Sequence, residues 1–148
     1  MIKPPQDMCC VYLLSDESVL VEGFDYEPTG PGGLASDRLV RISRSAREVL
    51  GPIVLRMLDQ TMVVNGAEWN EKGVLRSRLE ITGEKSQKAF ETRARMVNVT
   101  LDGERITVTP SAHDAKYGGW QYLDDKKAEC KIEPVLLTSI ILNKLGTS

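Results

Sequence analysis

Val97-Asn98-Val99-Thr100-Leu101-Asp102-Gly103-Glu104-Arg105-Ile106-Thr107-Val108-Thr109 is the stretch that decides the fold. Val97, Val99 and Leu101 alternate with Asn98 and Thr100, and Ile106 and Val108 alternate with Thr107 and Thr109. Successive side chains leave opposite sides of a pleated strand, so this alternation describes two strands with one buried face and one wet face. Asp102-Gly103 between them is a tight-turn dipeptide, because glycine accepts the positive φ of a two-residue hairpin. An antiparallel hairpin is therefore the first element read.

Upstream, the sequence continues in the same manner. Phe90 to Leu101 reads as one long strand. Gly73 to Thr82 reads as another, with Leu79 and Ile81 alternating with Arg78 and Glu80. Gly83 to Gln87 is a polar connection, and Asn65-Gly66 marks a turn. Cys9 to Leu14 and Val19 to Phe24 are apolar runs around the turn cluster Ser15-Asp16-Glu17-Ser18, a second hairpin. Asp25 to Gly33 carries two prolines and three glycines and reads as a surface loop, before strand character returns at Arg38 to Ser43.

Two helices are expected. Ser45-Ala46-Arg47-Glu48 has capping-box spacing, and Val49, Leu50, Ile53, Val54, Met57 and Leu58 follow at helical spacing. Pro52 is tolerated only in a first turn, so the spacing predicts a short opening turn and then a regular helix to about Gln60. The last helix opens at Pro134, runs through Val135, Leu136, Leu137, Ile140, Ile141, Leu142 and Leu145, and stops at Gly146. Downstream of the hairpin, Pro110 to Asp114 ends it, and Tyr117 to Leu123 gives a turn and a short strand. The fold class is α+β, mostly antiparallel strands with two main helices. Gly51-Pro52-Ile53-Val54-Leu55 and Glu133-Pro134-Val135-Leu136-Leu137 each follow a block of strands, which raises the reading of a pseudo-repeat with two packed sheets.

A length of 148 residues suits one domain, 1–148, able to bury about two-thirds of its surface. Residues 1–8 are expected to be a flexible N-terminus. Met1 to Asp7 has one basic residue and no apolar core, and no run of 18 apolar residues exists, so neither a secretory signal nor a membrane span is expected. Cys9, Cys10 and Cys130 are odd in number, a poor disulfide framework, and read as free thiols in a reducing cytoplasm. Cys9 and Cys10 should point to opposite sheet faces.

Chemistry is sparse. The single histidine excludes a His-pair metal site or a His–His relay within the chain. His113-Asp114 lacks a nucleophile elbow, and no Gly-rich phosphate loop or calcium-loop pattern occurs. No catalytic residue, metal or cofactor is expected.

Charge is more informative than its total. Nineteen basic and 21 acidic residues give −2. Residues 1–40 hold two basic against seven acidic residues, while Lys72 to Arg95 hold seven basic against three acidic. The basic block, with Arg76, Arg78, Arg93 and Arg95, offers a phosphate-binding alternative. It lacks the interleaved aromatics of a single-stranded nucleic-acid platform, so nucleic acid is the weaker reading.

Leu50-Gly51-Pro52-Ile53-Val54-Leu55-Arg56-Met57-Leu58 resembles the Leu-Gly-x-x-Val-Leu-x-x-Leu helix start of immunity proteins from bacterial contact-dependent growth inhibition systems, with Pro52 where a helix former is usual. The later order is also similar: a hairpin, the Tyr117-Gly118-Gly119-Trp120 turn and a final aliphatic helix. The resemblance implies a small cytoplasmic α+β protein with no catalytic residues. It also implies a protein partner, the toxin domain of a cognate effector, often a nuclease. Nuclease toxins approach a polyanion and are usually basic, so acidic surfaces would steer the encounter. The candidate contact residues are Asp16, Glu17, Glu22, Asp25, Tyr26 and Glu27, with Trp120, Asp124 and Asp125 as a second patch beside Tyr122. Strand edges could also pair with a partner or a second copy.

Overall fold

The computed structural model describes residues 6–28 and 32–147. Seven strands form one sheet: β1 (Asp7–Leu13), β2 (Val19–Glu27), β3 (Gly32–Ile42), β4 (Arg95–Asp102), β5 (Arg105–His113), β6 (Trp120–Tyr122) and β7 (Ala128–Lys131). The order is β3-β2-β1-β4-β5, and every pair is antiparallel. β6 and β7 lie in tandem along the outer edge of β5, on Ser111–His113 and Arg105–Val108. Four helices accompany it: α1 (Leu50–Asp59), α2 (Glu71–Thr82), α3 (Gln87–Arg93) and α4 (Pro134–Leu145). The α+β, mostly antiparallel class read from the hairpin is the fold observed.

The central hairpin pairs Val99 with Val108 and Asp102 with Arg105, so the two-residue loop is Gly103-Glu104, one position later than read, with Gly103 at φ +63°. Asp7 and Met8, expected in a loose N-terminus, pair with Leu101 and Thr100. Residues 1–5 lie outside the described residues. β2 runs on to Glu27 and β3 starts at Gly32, which absorbs most of the expected Asp25–Gly33 loop into strands. Residues 29–31 lie outside the described residues.

Two expected strands are corrected. Glu71–Thr82 is a helix, opened by the Asn70 side chain accepting from the Gly73 N–H and closed by Gly83 at φ +73°. Gln87–Arg93 is a second helix, capped by Ser86 accepting from the Ala89 N–H, and the strand begins only at Arg95. Caps satisfy backbone groups that the first turn leaves open. They outweigh a short alternation built on two apolar residues. The Ser45–Glu48 capping box is also corrected: residues Arg44–Val49 form a 3₁₀ turn after Ser43, with no side-chain cap. α1 then starts at Leu50 and holds Pro52 in its first turn, as expected.

α1 and α4 cover one face. Cys9, Val11, Val21, Val97, Val99, Ile106 and Val108 meet Leu50, Val54, Leu58, Leu137, Ile141 and Leu145 there. α2 and α3 cover part of the other, where Cys10, Tyr12, Leu20 and Met96 meet Phe90, Leu79 and Trp120. Cys9 and Cys10 do point to opposite faces. The strands make one sheet and not two facing sheets. The two Pro-aliphatic segments meet each other: Gly51 N–H donates to Thr138 Oγ1 at 2.8 Å. A Cβ at Gly51 would lie 2.0 Å from the Pro134 carbonyl oxygen. α4 buries Leu137, Ile141, Leu142 and Leu145, but Val135 and Leu136 at its start are exposed, so it is less enclosed than its composition suggests.

Candidate partner-binding surface

The acidic N-terminal residues divide by burial. Asp16 and Glu17 are exposed in the β1–β2 turn. Asp16 accepts from the Ser18 N–H and hydroxyl at 2.9 and 2.5 Å and pairs with Arg41 at 2.6 Å. The Ser18 hydrogen bonds, with Arg41 adding to them, hold its carboxyl below the ordinary value. Glu17 sits at φ +67° and pairs with Arg44.

Glu22, Asp25 and Glu27 are buried, which corrects their assignment to the contact surface. Glu22 is 0% exposed. It accepts from Tyr12 Oη at 2.7 Å and from Arg78 Nε and Nη2 at 2.9 and 2.8 Å. A register shift falls between Glu22 and Phe24, because β3 carries two extra residues between Leu39 and Ala35. Beyond it, Asp25 takes both Nη groups of Arg38, at 2.6 and 3.2 Å, and the Met62 N–H at 3.2 Å. Glu27 accepts from the Gly66 N–H. Tyr26 is half-buried, and its backbone pairs with Met62 and Val64. Asp25 and Glu27 tie the 61–70 segment to the sheet, where unmatched backbone donors would be costly.

Asp124 and Asp125 are exposed in a 3₁₀ turn after β6. Trp120 is half-buried, and its ring packs 5.5 Å from Tyr12 and 5.9 Å from Phe90, which makes it more a core aromatic than a contact anchor. The exposed aromatics nearby are Tyr117 and Tyr122, at 79% and 50%. In the sheet, β4 and β5 stand between the Asp16–Glu17 turn and the β6 edge, so the two acidic sets are separate.

The arginines of the alternative reading also disperse. Arg78 is internal, and Arg76 and Arg93 are exposed on helices. Arg95 Nη1 donates to the Leu145 carbonyl at 3.2 Å. The described residues contain no group of three His, Cys, Asp or Glu able to hold a metal. Burial raises both core thiols, Cys10 to about 12. No helix among the described residues is long and apolar enough to cross a membrane.

One groove was not foreseen. Between β3, the 62–70 segment and the first turns of α2 lies an open space of about 520 Å³. Its apolar wall includes Met62, Val64, Trp69 and Val74, and its polar wall includes Asp37, Glu68 and Arg76. Trp69 Nε1 donates to the Ala35 carbonyl at 2.8 Å, which fixes the indole plane. The Asn65-Gly66 turn and Trp69, in a segment read only as a turn, were the available signal.

No protein-family profile and no curated protein matches the chain by sequence. Its fold is shared by solved structures. A protein of unknown function from Neisseria meningitidis superposes with a TM-score of 0.77 at 12% identity, over 99% of this chain and 97% of that one. A chain of the CdiA-CT/CdiI toxin and immunity complex from Yersinia pseudotuberculosis superposes with a TM-score of 0.69 at 11% identity, over 97% and 98%. At these identities the likeness establishes a common fold.

Proposed function

We propose that the chain is an immunity protein that binds and neutralises a cognate toxin domain, a nuclease, of a contact-dependent growth inhibition effector. The observation that carries the reading is the fold shared, over nearly the whole of both chains, with a member of a toxin and immunity complex. The Leu50–Leu58 motif, resembling the helix start of such immunity proteins, supports it from the sequence side. The protein acts by occupying its partner and carries out no reaction of its own, and it works in the cytoplasm where the toxin arrives. Exposed Asp16, Glu17, Asp124 and Asp125 supply acidic character that speeds the encounter with a basic partner.

The test is protection. The proposal expects a gene for a large exoprotein immediately upstream, and cells that express the C-terminal domain of that exoprotein should stop growing. Co-expression of this chain should restore growth. Growth arrest that persists at equal or excess levels of the chain would contradict the reading.

A further inference from the structure

We propose that the groove between β3, the 62–70 segment and α2 receives a basic side chain, lysine or arginine, from a loop of the toxin domain. This rests on the immunity reading and names the contact within it. Three observations converge. First, the groove is preformed. Its outer segment is tied down by the Tyr26 pairing with Met62 and Val64, by Asp25 on the Met62 N–H, by Glu27 on the Gly66 N–H and by Trp69 on Ala35. A wall already fixed loses little conformational freedom on binding. Second, its volume of about 520 Å³ lies in the range of ligand-binding clefts, with room for a long side chain together with part of the loop that carries it. Third, its chemistry is divided. Met62, Val64, Val74 and the fixed Trp69 indole offer an apolar and aromatic wall, along which the methylene stem of a lysine or arginine packs. Asp37 and Glu68 stand on the lining as well, and among the described residues neither forms an ion pair.

The internal carboxylate is already matched. Asp25 is held by Arg38, so the uncommitted negative charge belongs to Asp37 and Glu68. Arg76, on α2, also lines the groove. The cation of the occupant is drawn to Asp37 and Glu68, and Arg76 opposes it. A nuclease loop that ordinarily meets phosphate carries such basic side chains.

The experiment has two arms. In the first, calorimetry measures the upstream toxin domain against the wild-type chain, the pair Asp37→Lys with Glu68→Lys, and Arg76→Glu. All three positions line the surface, so each variant should fold. The proposal expects Kd to rise about tenfold or more for the double variant and to stay level or fall for Arg76→Glu. Unchanged affinity for the double variant, or the opposite ordering, overturns the groove and leaves the immunity reading intact. In the second arm, ¹⁵N NMR follows the Trp69 indole N–H during titration with acetyl-Gly-Arg-Gly-amide and, separately, acetyl-Gly-Glu-Gly-amide. The arginine peptide should shift that resonance and the Glu68 amide in the wild type and not in the double variant. No shift with arginine, or a larger shift with the glutamate peptide, overturns the preference. If the toxin domain fails to bind the wild type at all, the immunity reading fails and the peptide arm still decides the groove's selectivity.

Discussion

Glu22 lies in an apolar interior and answers to two partners. Arg78 reaches it from α2 and Tyr12 from the neighbouring strand. Arg78 passes its other amine to Gln87 Oε1 at 3.0 Å, and its guanidinium lies 5.5 Å from the centre of the Phe90 ring. Removing one member of a buried pair strands the other charge, so Arg78→Ala should cost ~3–5 kcal/mol in urea unfolding. Changing Tyr12→Phe, Glu22→Leu and Arg78→Met together removes the whole set and should cost far less, or stabilise. Burial pushes the Glu22 carboxyl upward, against the opposing pull of Arg78 and Tyr12. The folded state then holds that proton to a higher pH than the unfolded chain. Glu22's own contribution is therefore largest below the ordinary glutamate range, near pH 4, and falls as pH rises through the raised value. The stability difference between wild type and Glu22→Gln should favour the wild type more at about pH 4 than at pH 7. A difference that grows with pH would contradict this burial. None of it was legible in the sequence, because a glutamate amid Asp16, Glu17, Asp25 and Glu27 looks like surface until an arginine 56 residues later is seen to fold onto it.

At the level of elements, what was legible followed the strength of the local code. The β4–β5 hairpin and α4 combine regular patterning with turn or cap residues: the hairpin turn falls within one residue of its expected place and α4 spans Pro134–Leu145 as read, although β4 starts only at Arg95 and β5 runs on to His113. α2 and α3 were hidden for different reasons. α2 turns Arg78 inward, so the buried position carries no apolar residue and its helical period is broken in the sequence. α3 is seven residues long and contributes one buried side chain, Phe90, too little for a period to emerge. In each the cap residue, Asn70 or Ser86, was the available sign. Ser86→Ala should cost ~1 kcal/mol. The α1–α4 crossing depends on the missing side chain of Gly51. Gly51→Ala places a methyl against backbone that cannot retreat, and should lower stability by about 3 kcal/mol, measured by urea unfolding. A neutral substitution there would mean that the helices are farther apart.

The whole molecule is one sheet with helices on both faces, and its charge is arranged more finely than the acidic and basic blocks of the sequence suggest. Much of the N-terminal acidity is internal and holds the 61–70 segment in place. Exposed carboxylates include Asp16, Glu17, Asp124, Asp125 and the groove pair Asp37 and Glu68. Of the expected contact set, Asp16, Glu17, Asp124 and Asp125 are exposed. Glu22, Asp25, Glu27 and the Trp120 ring belong to the packing. The groove could not be read from the sequence because its walls come from β3, the 62–70 segment and α2, which meet only in three dimensions. Charge reversal at Asp16, Glu17, Asp124 and Asp125 together should slow association with a basic toxin domain and flatten its salt dependence, while dissociation changes little. Stopped-flow mixing at two ionic strengths checks this. The central claim is that this fold neutralises a toxin by binding it. Mixing the purified chain with the toxin domain that the proposal expects to be encoded immediately upstream, and following both the stoichiometry by calorimetry and the expected nuclease activity, tests it most directly. The account predicts a one-to-one complex in which activity disappears at equivalence. Full nuclease activity in the presence of excess chain, with no heat of binding, would contradict it.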